Sequence, residues 1–381
     1  MSTRVHSASV VPLRAFVPAL EGMRAVAALG IVVTHVAFQT GAANSPLMGR
    51  VWGRFDLTVA IFFALSGFLL WRPHAAQARG LTQAQPTRRY FWSRAVRILP
   101  AYWVVTVLVL LFLPHAGGDY RVWLANLSLT QVFVPLTLTE GMTQMWSLSV
   151  EVAFYLLLPL FAWLMIRLRG SSARYRVWVL LAASAVTLSW AFIPIATPEA
   201  IHHDNWLPGY FPWFAAGMVL AEVSVGPQMW VHRWARRTWV MPAIAVTAFV
   251  LSATPLAGPQ GLVRPEPWQF ELKIVFGAVL AFAMLSPLVL ADSGRRHRVF
   301  EHPVMLTLGR WSYGIFIWHL AVLAVVFPVF GIVPFSGDMW FVLTVTLALS
   351  IPVAAASYAL VEEPARRRFA PKKAVTASAS R

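Results

Sequence analysis

The sequence predicts an all-α, polytopic membrane helix bundle, and three observations carry that prediction. Apolar residues make up 58% of the 381, and charged residues only 12%. A soluble domain is about 45–50% apolar and about 25% charged, so a water-soluble fold of this length would lack the side chains to cover its surface. Ten apolar stretches are long enough, or nearly so, to cross about 30 Å of hydrocarbon. The segments between them carry their cations on alternate sides of the membrane, 24 on one side and 4 on the other. A wrong number of spans would not give such alternation. By the positive-inside rule it places both termini in the cytoplasm, in a multi-pass protein of the inner or plasma membrane.

Taken in order, the spans are expected near 18–38, 55–71, 98–113, 146–166, 177–195, 206–224, 240–255, 272–291, 311–333 and 339–361. Segment 121–138 is apolar but holds Asn126, Gln131 and Pro135, which predicts a re-entrant or interfacial segment. The cation-rich side holds two residues before the first span, six in 72–97, four in 167–176, three in 233–237, three in 295–298 and six after 361. Arg50, Arg54, Arg121 and Arg264 fall on the other side, and Arg24, Lys273 and Arg310 within spans. The net charge of +16 is thereby mostly a topology signal, so the expected partner is the lipid bilayer and not nucleic acid. Zero cysteines exclude disulfides, thiolate metal sites and an acyl-cysteine intermediate, and no metal site is expected. Residues 1–17 are polar and basic, without the apolar core of a cleavable signal peptide. The chain reads as a cytoplasmic tail over 1–14, one transmembrane domain over 15–366 and a disordered cytoplasmic tail over 367–381.

A charge in the membrane costs about 2.5–3.5 kcal/mol on insertion scales, so each one is a functional candidate by default. The first span holds Arg24 and His35, eleven residues apart. That is about 16 Å along a helix and nearly one face. A snorkelling arginine and a packing histidine are the bland alternative. The fourth span opens Trp146-Ser-Leu-Ser-Val-Glu151, which sets Glu151 about 7 Å below its outer end. His35, on an antiparallel span, is expected at the same depth, where a carboxylate could orient the imidazole and raise its basicity. A purely structural Glu151 contact is the alternative. Arg94 and Arg97 share a helix face at the cytoplasmic boundary, which suits a phosphate ligand but equally suits simple positive-inside charge. The other polar candidates are Asp56 on span two, Arg310 and His319 around span nine, and Glu362 and Glu363 at the end of span ten.

Six segments together carry a resemblance. Leu20-Glu-Gly-Met-Arg24 through His35 shows an R-x10-H pattern, and Phe62-Phe-Ala-Leu-Ser66-Gly-Phe-Leu69 follows in span two. Arg94-x-x-Arg97-Ile-x-Pro100-x-Tyr102 opens span three, and Trp146-Ser-Leu-Ser149-Val-Glu151 opens span four. Leu308-Gly-Arg310-Trp-Ser312-Tyr313-Gly-Ile-Phe-Ile-Trp-His319 and Glu362-Glu-Pro364 complete the set. In order and spacing, over nearly the whole chain, they resemble the acyltransferase 3 family of integral-membrane O-acyltransferases. Two positions depart from that family's pattern. Ala60 stands where an Asp often precedes the Phe-Phe pair, with Asp56 one turn earlier on the same face as its candidate substitute. Leu320-Ala-Val follows His319, where the family usually has a Pro. No hydrolase-like extracytoplasmic domain follows either, which reads as a stand-alone transferase.

The resemblance implies transfer of a short acyl group, acetyl by default, from acyl-CoA to a hydroxyl of a glycan or of a small-molecule natural product such as a macrolide. Acyl-CoA is then a co-substrate, and no tightly bound cofactor is expected. Arg94, Arg97, Tyr102 and Arg24 would hold the donor, and His35, helped by Glu151 and Arg24, would carry the chemistry as base or as acyl acceptor. Asp56, Ser66, Trp146, Ser149, Arg310, Ser312, Tyr313, His319 and Glu362 would support substrate or structure. The competing class is a transporter using Arg24, His35 and Glu151 as a proton relay, against which the absence of an evident internal repeat argues. A membrane-embedded partner protein without chemistry would not need polar residues at matched depth.

Overall fold

The computed structural model describes residues 17–46, 48–84, 86–259, 261, 263–290 and 296–369. Their regular structure is helical throughout. In order come α1 (Ala19–Gln39), the short α2 (Gly49–Gly53), α3 (Thr58–Ala78), α4 (Thr87–Phe112), α5 (Tyr120–Leu127), α6 (Trp146–Leu164) and α7 (Arg176–Thr187). Then follow α8 (Leu207–Ser224), α9 (Trp230–Arg236), α10 (Val240–Ser252), α11 (Pro267–Leu290), α12 (Pro303–Val329), α13 (Met339–Ser357) and α14 (Glu363–Phe369). A π-helical turn at Tyr358–Glu362 joins the last two. Residues 1–16 and 370–381, which take in the N-terminal tail and most of the C-terminal one, lie outside the described residues, while Arg367–Phe369 belong to α14.

Local chemistry sets several of these boundaries. The Asp119 side chain accepts from the backbone N–H groups of Arg121 and Val122 and starts α5. His302 does the same for Val304, and Pro303 occupies the first turn of α12, where its missing N–H costs nothing. At the other end of α1, Thr40 turns its hydroxyl back to the Val36 carbonyl at 2.8 Å.

Among the described residues, eight helices are long and apolar enough to cross a membrane. The two remaining expected spans are helical as well but fall outside that set. Helix α10 has 13 residues, about 20 Å, against roughly 30 Å of hydrocarbon. Helix α8 holds Pro208, Gly209, Pro212, Gly217 and the charged Glu222 within its 18 residues. Large apolar side chains such as Leu111, Phe112, Trp163, Trp178 and Val246 are exposed, as a surface facing lipid requires.

Close backbone approach organises the bundle, because helix association in lipid depends on packing and not on the hydrophobic effect. Gly67 of α3 lies against the Phe214 carbonyl and Gly217 of α8 against the Ala64 carbonyl, so a Cβ at either would run into backbone. Helix α1 meets α12 and the turn before it in the same way, with Gly309 of α12 against the Glu21 carbonyl and Gly22 against that of Phe300 in the turn. They run parallel, since residue 21 meets residue 309 and His35 meets His319. Helix α3 runs the other way, its start meeting the later half of α1: Gly30 abuts Thr58, and Thr34 Oγ1 donates to the Gly53 carbonyl at 3.0 Å.

The segment after α5 dips into the bundle. Asn126, Gln131, Thr137 and Gln144 are each at most 2% exposed. Asn126 donates to the Thr137 carbonyl at 2.8 Å, Gln131 to that of Met145 at 3.1 Å, and Gln144 to that of Ile317 at 3.1 Å. Ile317 is the middle of α12, so the polar side chains supply the bonds that let irregular backbone reach mid-bundle. Helix α6 therefore starts inside the protein and not at its edge. On the cation-rich face, Glu222 is wholly buried, taking Trp71 Nε1 at 2.8 Å, Arg79 at 2.5 Å and Arg176 at 2.6 Å.

Candidate active site

Helices α1, α3, α4, α6 and α12 enclose a cavity of about 80 Å³. Its polar wall consists of Arg24, Ser66, Arg94, Arg97, Ser147, Glu151, Tyr155, Ser312 and Tyr313, and Phe62, Phe63 and Phe316 are among its apolar lining. It opens toward the cation-rich face into a vestibule of about 510 Å³ lined by Glu21, Arg24, Arg97, Arg310, Ser312, Tyr313 and Arg366. Arg24, Arg97, Ser312 and Tyr313 border both spaces. Four guanidinium groups stand there against one carboxylate, a charge balance and a fork geometry that would suit a phosphate ligand.

Several of these side chains are held by partners. Arg24 donates to Glu21 one turn earlier at 2.5 Å. Arg94 and Arg97, three apart on α4, share the face turned to the cavity. Glu151 accepts from Ser66 Oγ and from Tyr155 Oη at 2.6 Å. Tyr313 donates to the Ile98 carbonyl at 2.9 Å, tying α12 to α4. Arg310 reaches Thr307 Oγ1 at 3.1 Å on the vestibule rim. Glu362, 2% exposed on the π turn, takes Arg366 at 3.1 Å.

His35 is not part of this cavity wall, and it does not pair with Glu151. Its Nδ1 lies 2.9 Å from Nε2 of His319. His319 is fully buried, and its Nδ1 faces the carbonyls of Phe316 at 2.8 Å and Ile315 at 3.1 Å. The Phe62 and Phe316 rings, 6.0 Å apart, line the inner part of the cavity. Phe316 in turn neighbours His319, at 6.1 Å between ring centroids. The histidine pair thus lies past an aromatic pair, about three helical turns along α1 from Arg24.

The expected matched depth of His35 and Glu151 fails for a specific reason. It placed Trp146 at the outer end of a span, whereas the infolded 128–145 segment starts α6 in mid-bundle. Five residues further, Glu151 has reached the level of Ser66 and Arg24. Three other expected placements change as well. Tyr102 does not border the cavity; it is fully buried and donates to the Asn126 carbonyl at 2.5 Å, holding α5 to α4. Asp56 pairs with Lys273 of α11 at 2.6 Å, away from the cavity. Trp146 packs on Tyr210, with centroids 4.9 Å apart, and is not among the lining residues, nor is Ser149, which is 2% exposed.

The structure also brings in residues that sequence reasoning missed. Tyr155 stands four after Glu151, one turn on the same face, a spacing that was available to find it. Phe62 and Phe316 fall within two of the segments that carry the resemblance, but each sits in an apolar run and no spacing signalled that they pair.

Comparison with known proteins gives consistent results. A family model described as an acyltransferase domain matches residues 17–360. The chain is 22% identical to the peptidoglycan O-acetyltransferase OatA of Listeria monocytogenes over 93% of its own length and 56% of that protein's. It is 27% identical to the acyltransferase MdmB of Streptomyces mycarofaciens, covering 80% of this chain and 79% of that one. It is 25% identical to the putative peptidoglycan O-acetyltransferase YrhL of Bacillus subtilis, covering 92% and 55%. The chain thus spans just over half the length of the two peptidoglycan-named relatives. No solved structure matches it.

Proposed function

This chain belongs to the acyltransferase family, and from that membership we propose that it is a membrane O-acyltransferase. It moves a short acyl group, acetyl by default, from acyl-CoA to a hydroxyl of a glycan or of a small-molecule natural product such as a macrolide. One observation carries the reading: an arginine-lined vestibule narrows into a cavity that ends at an aromatic pair beside two histidines. With both termini in the cytoplasm, as the cation distribution argues, the vestibule faces the compartment that holds acyl-CoA.

The roles follow from position. Arg97, Arg24, Arg310 and Arg366 take the phosphates of CoA, and Arg94 continues the positive wall inward. The pantetheine arm follows the cavity, which carries the thioester toward Phe62 and Phe316. His35 removes the proton of the acceptor hydroxyl as its oxygen attacks the thioester carbonyl. The tetrahedral intermediate collapses by breaking the C–S bond, and the departing sulfur takes the proton from His35, giving free CoA and an ester. Glu151, held by Ser66 and Tyr155, offsets part of the positive charge that Arg24, Arg94 and Arg97 bring to the cavity.

The test uses purified protein in lipid nanodiscs with acetyl-CoA and a panel of glycan and macrolide acceptors. Thiol release that depends on acceptor, with the acetylated product found by mass spectrometry, is the expected result. His35→Ala should lose transfer while still binding acyl-CoA, on the scale of about 10²–10⁴-fold for general base catalysis. A variant at near-parent rate returns His35 to packing. Acyl-CoA binding without thiol release for any acceptor sinks the transferase reading.

A further inference from the structure

We infer that His319 is a positioning residue that fixes the tautomer of His35, accepting its Nδ1–H and so leaving its Nε2 bare as the base. This rests on the reading that His35 is that base. The argument is a count of hydrogens. Nδ1 of His319 faces two backbone carbonyls, Phe316 at 2.8 Å and Ile315 at 3.1 Å. A carbonyl only accepts, so Nδ1 of His319 carries a hydrogen. A neutral imidazole has one N–H, and a second proton on this fully buried ring would place an uncompensated charge in the membrane interior. Nε2 of His319 is therefore a lone pair. Its partner at 2.9 Å, Nδ1 of His35, must be the donor. That uses the single hydrogen of His35 and leaves Nε2 unprotonated.

The ring geometry agrees. With N···N at 2.9 Å and centroids 5.1 Å apart, the rings meet edge to edge, at 26° between planes, as an in-plane lone pair requires. Among the described residues no carboxylate bonds to either ring, so the orienting group is a second imidazole anchored by its own helix, with residues 315, 316 and 319 forming one turn of α12. The arrangement stays uncharged at rest, which suits a group in the bilayer interior better than a buried carboxylate does.

The experiment reads the tautomer directly. Protein labelled with ¹⁵N at histidine, in nanodiscs, should show His35 with a protonated Nδ1 and a bare Nε2, and His319 with a protonated Nδ1. His35→Gln and His319→Gln variants assign the signals. His319→Leu should average the two tautomers of His35 and lower kcat by about 10²–10⁴-fold with unchanged acyl-CoA KM. His319→Gln, whose amide can donate to the Phe316 carbonyl and accept from His35, should recover about tenfold or more of that loss. A parent spectrum with hydrogen on Nε2 of His35 overturns the inference without any variant having to fold. So does a His319→Leu enzyme within about threefold of the parent rate. Activity that survives in His35→Ala removes the base reading instead, and the tautomer spectra distinguish that failure from this one.

Discussion

Arg97 borders both the vestibule and the cavity, so Arg97→Gln is the sharpest probe of the donor path. The substitution keeps a hydrogen-bonding side chain but shortens it and removes the charge. A charge-assisted hydrogen bond contributes about 1.5–3 kcal/mol, which at about 1.4 kcal/mol per tenfold weakens acyl-CoA binding by roughly 10- to 150-fold. Arg24 is partly neutralised by Glu21 at 2.5 Å, so Arg24→Gln should cost less than Arg97→Gln. Arg88 is the control. It is exposed on the same helix nine residues earlier, about 13 Å away along the axis and beyond the roughly 8 Å screening length of physiological salt. Calorimetric titration of acyl-CoA into nanodisc-embedded protein reads all three. If Arg97→Gln and Arg88→Gln weaken binding equally, general basicity is at work and the phosphate assignment is refuted. If neither changes affinity in folded protein, the arginines only set topology.

Other outcomes are expected. Tyr102→Phe should lower thermal stability by about 0.5–1.5 kcal/mol, the net value of one hydrogen bond, because the Asn126 carbonyl loses the Tyr102 hydroxyl but keeps the Leu129 N–H at 3.2 Å, while acyl-CoA affinity stays at the parent value; weakened donor binding would return Tyr102 to the donor site. Glu222→Gln should cost about 3–5 kcal/mol, since it leaves two arginines at a buried site without their carboxylate, and an unchanged melting temperature would show the cluster to be idle. Because the chain has no cysteine, single cysteines placed within 168–175 should react with impermeant reagent only from the cytoplasmic side, and labelling from outside would invert the topology.

What the sequence showed, and what it hid, divides along physical lines. Spans were legible because apolarity adds up residue by residue along a helix, with no reference to neighbours. Arg24, Arg94 and Arg97 converge on one cavity for a related reason: each is a fixed number of residues from a helix end at the same membrane face. The His35–Glu151 pairing was not legible. It required knowing how deep α6 begins, which depends on the side-chain bonds of Gln131 and Gln144, and irregular backbone has no period to read. His319 was visible as a buried polar group, but its role lies in a contact 284 residues apart in sequence. Glu222 sits in an apolar helix, and the two arginines it binds were indistinguishable from topology charges until the fold brought them together.

The backbone contacts at the glycines bear on how a donor gets in. The donor path narrows from a vestibule of about 510 Å³ to a cavity of about 80 Å³, so it is tightest where the five helices enclose it. Helix α3 is locked to α8 through Gly67 and Gly217, and α6 joins them where Phe154 stacks on Phe214 at 4.1 Å. Helices α1, α12 and α13 share a second apolar cluster, with Gly22, Gly309 and Gly314 at its close contacts, while other faces of α1 and α12 pack into the main core. The cavity runs along the seam between the two sets of helices. Between α1 and α3 the tight approach at Gly30 is to the Thr58 side chain, which can turn, whereas the contacts within each set are to backbone, which cannot. Any widening would be easiest along that seam, and it would leave the histidine pair intact, because His35 and His319 sit on the directly packed α1 and α12.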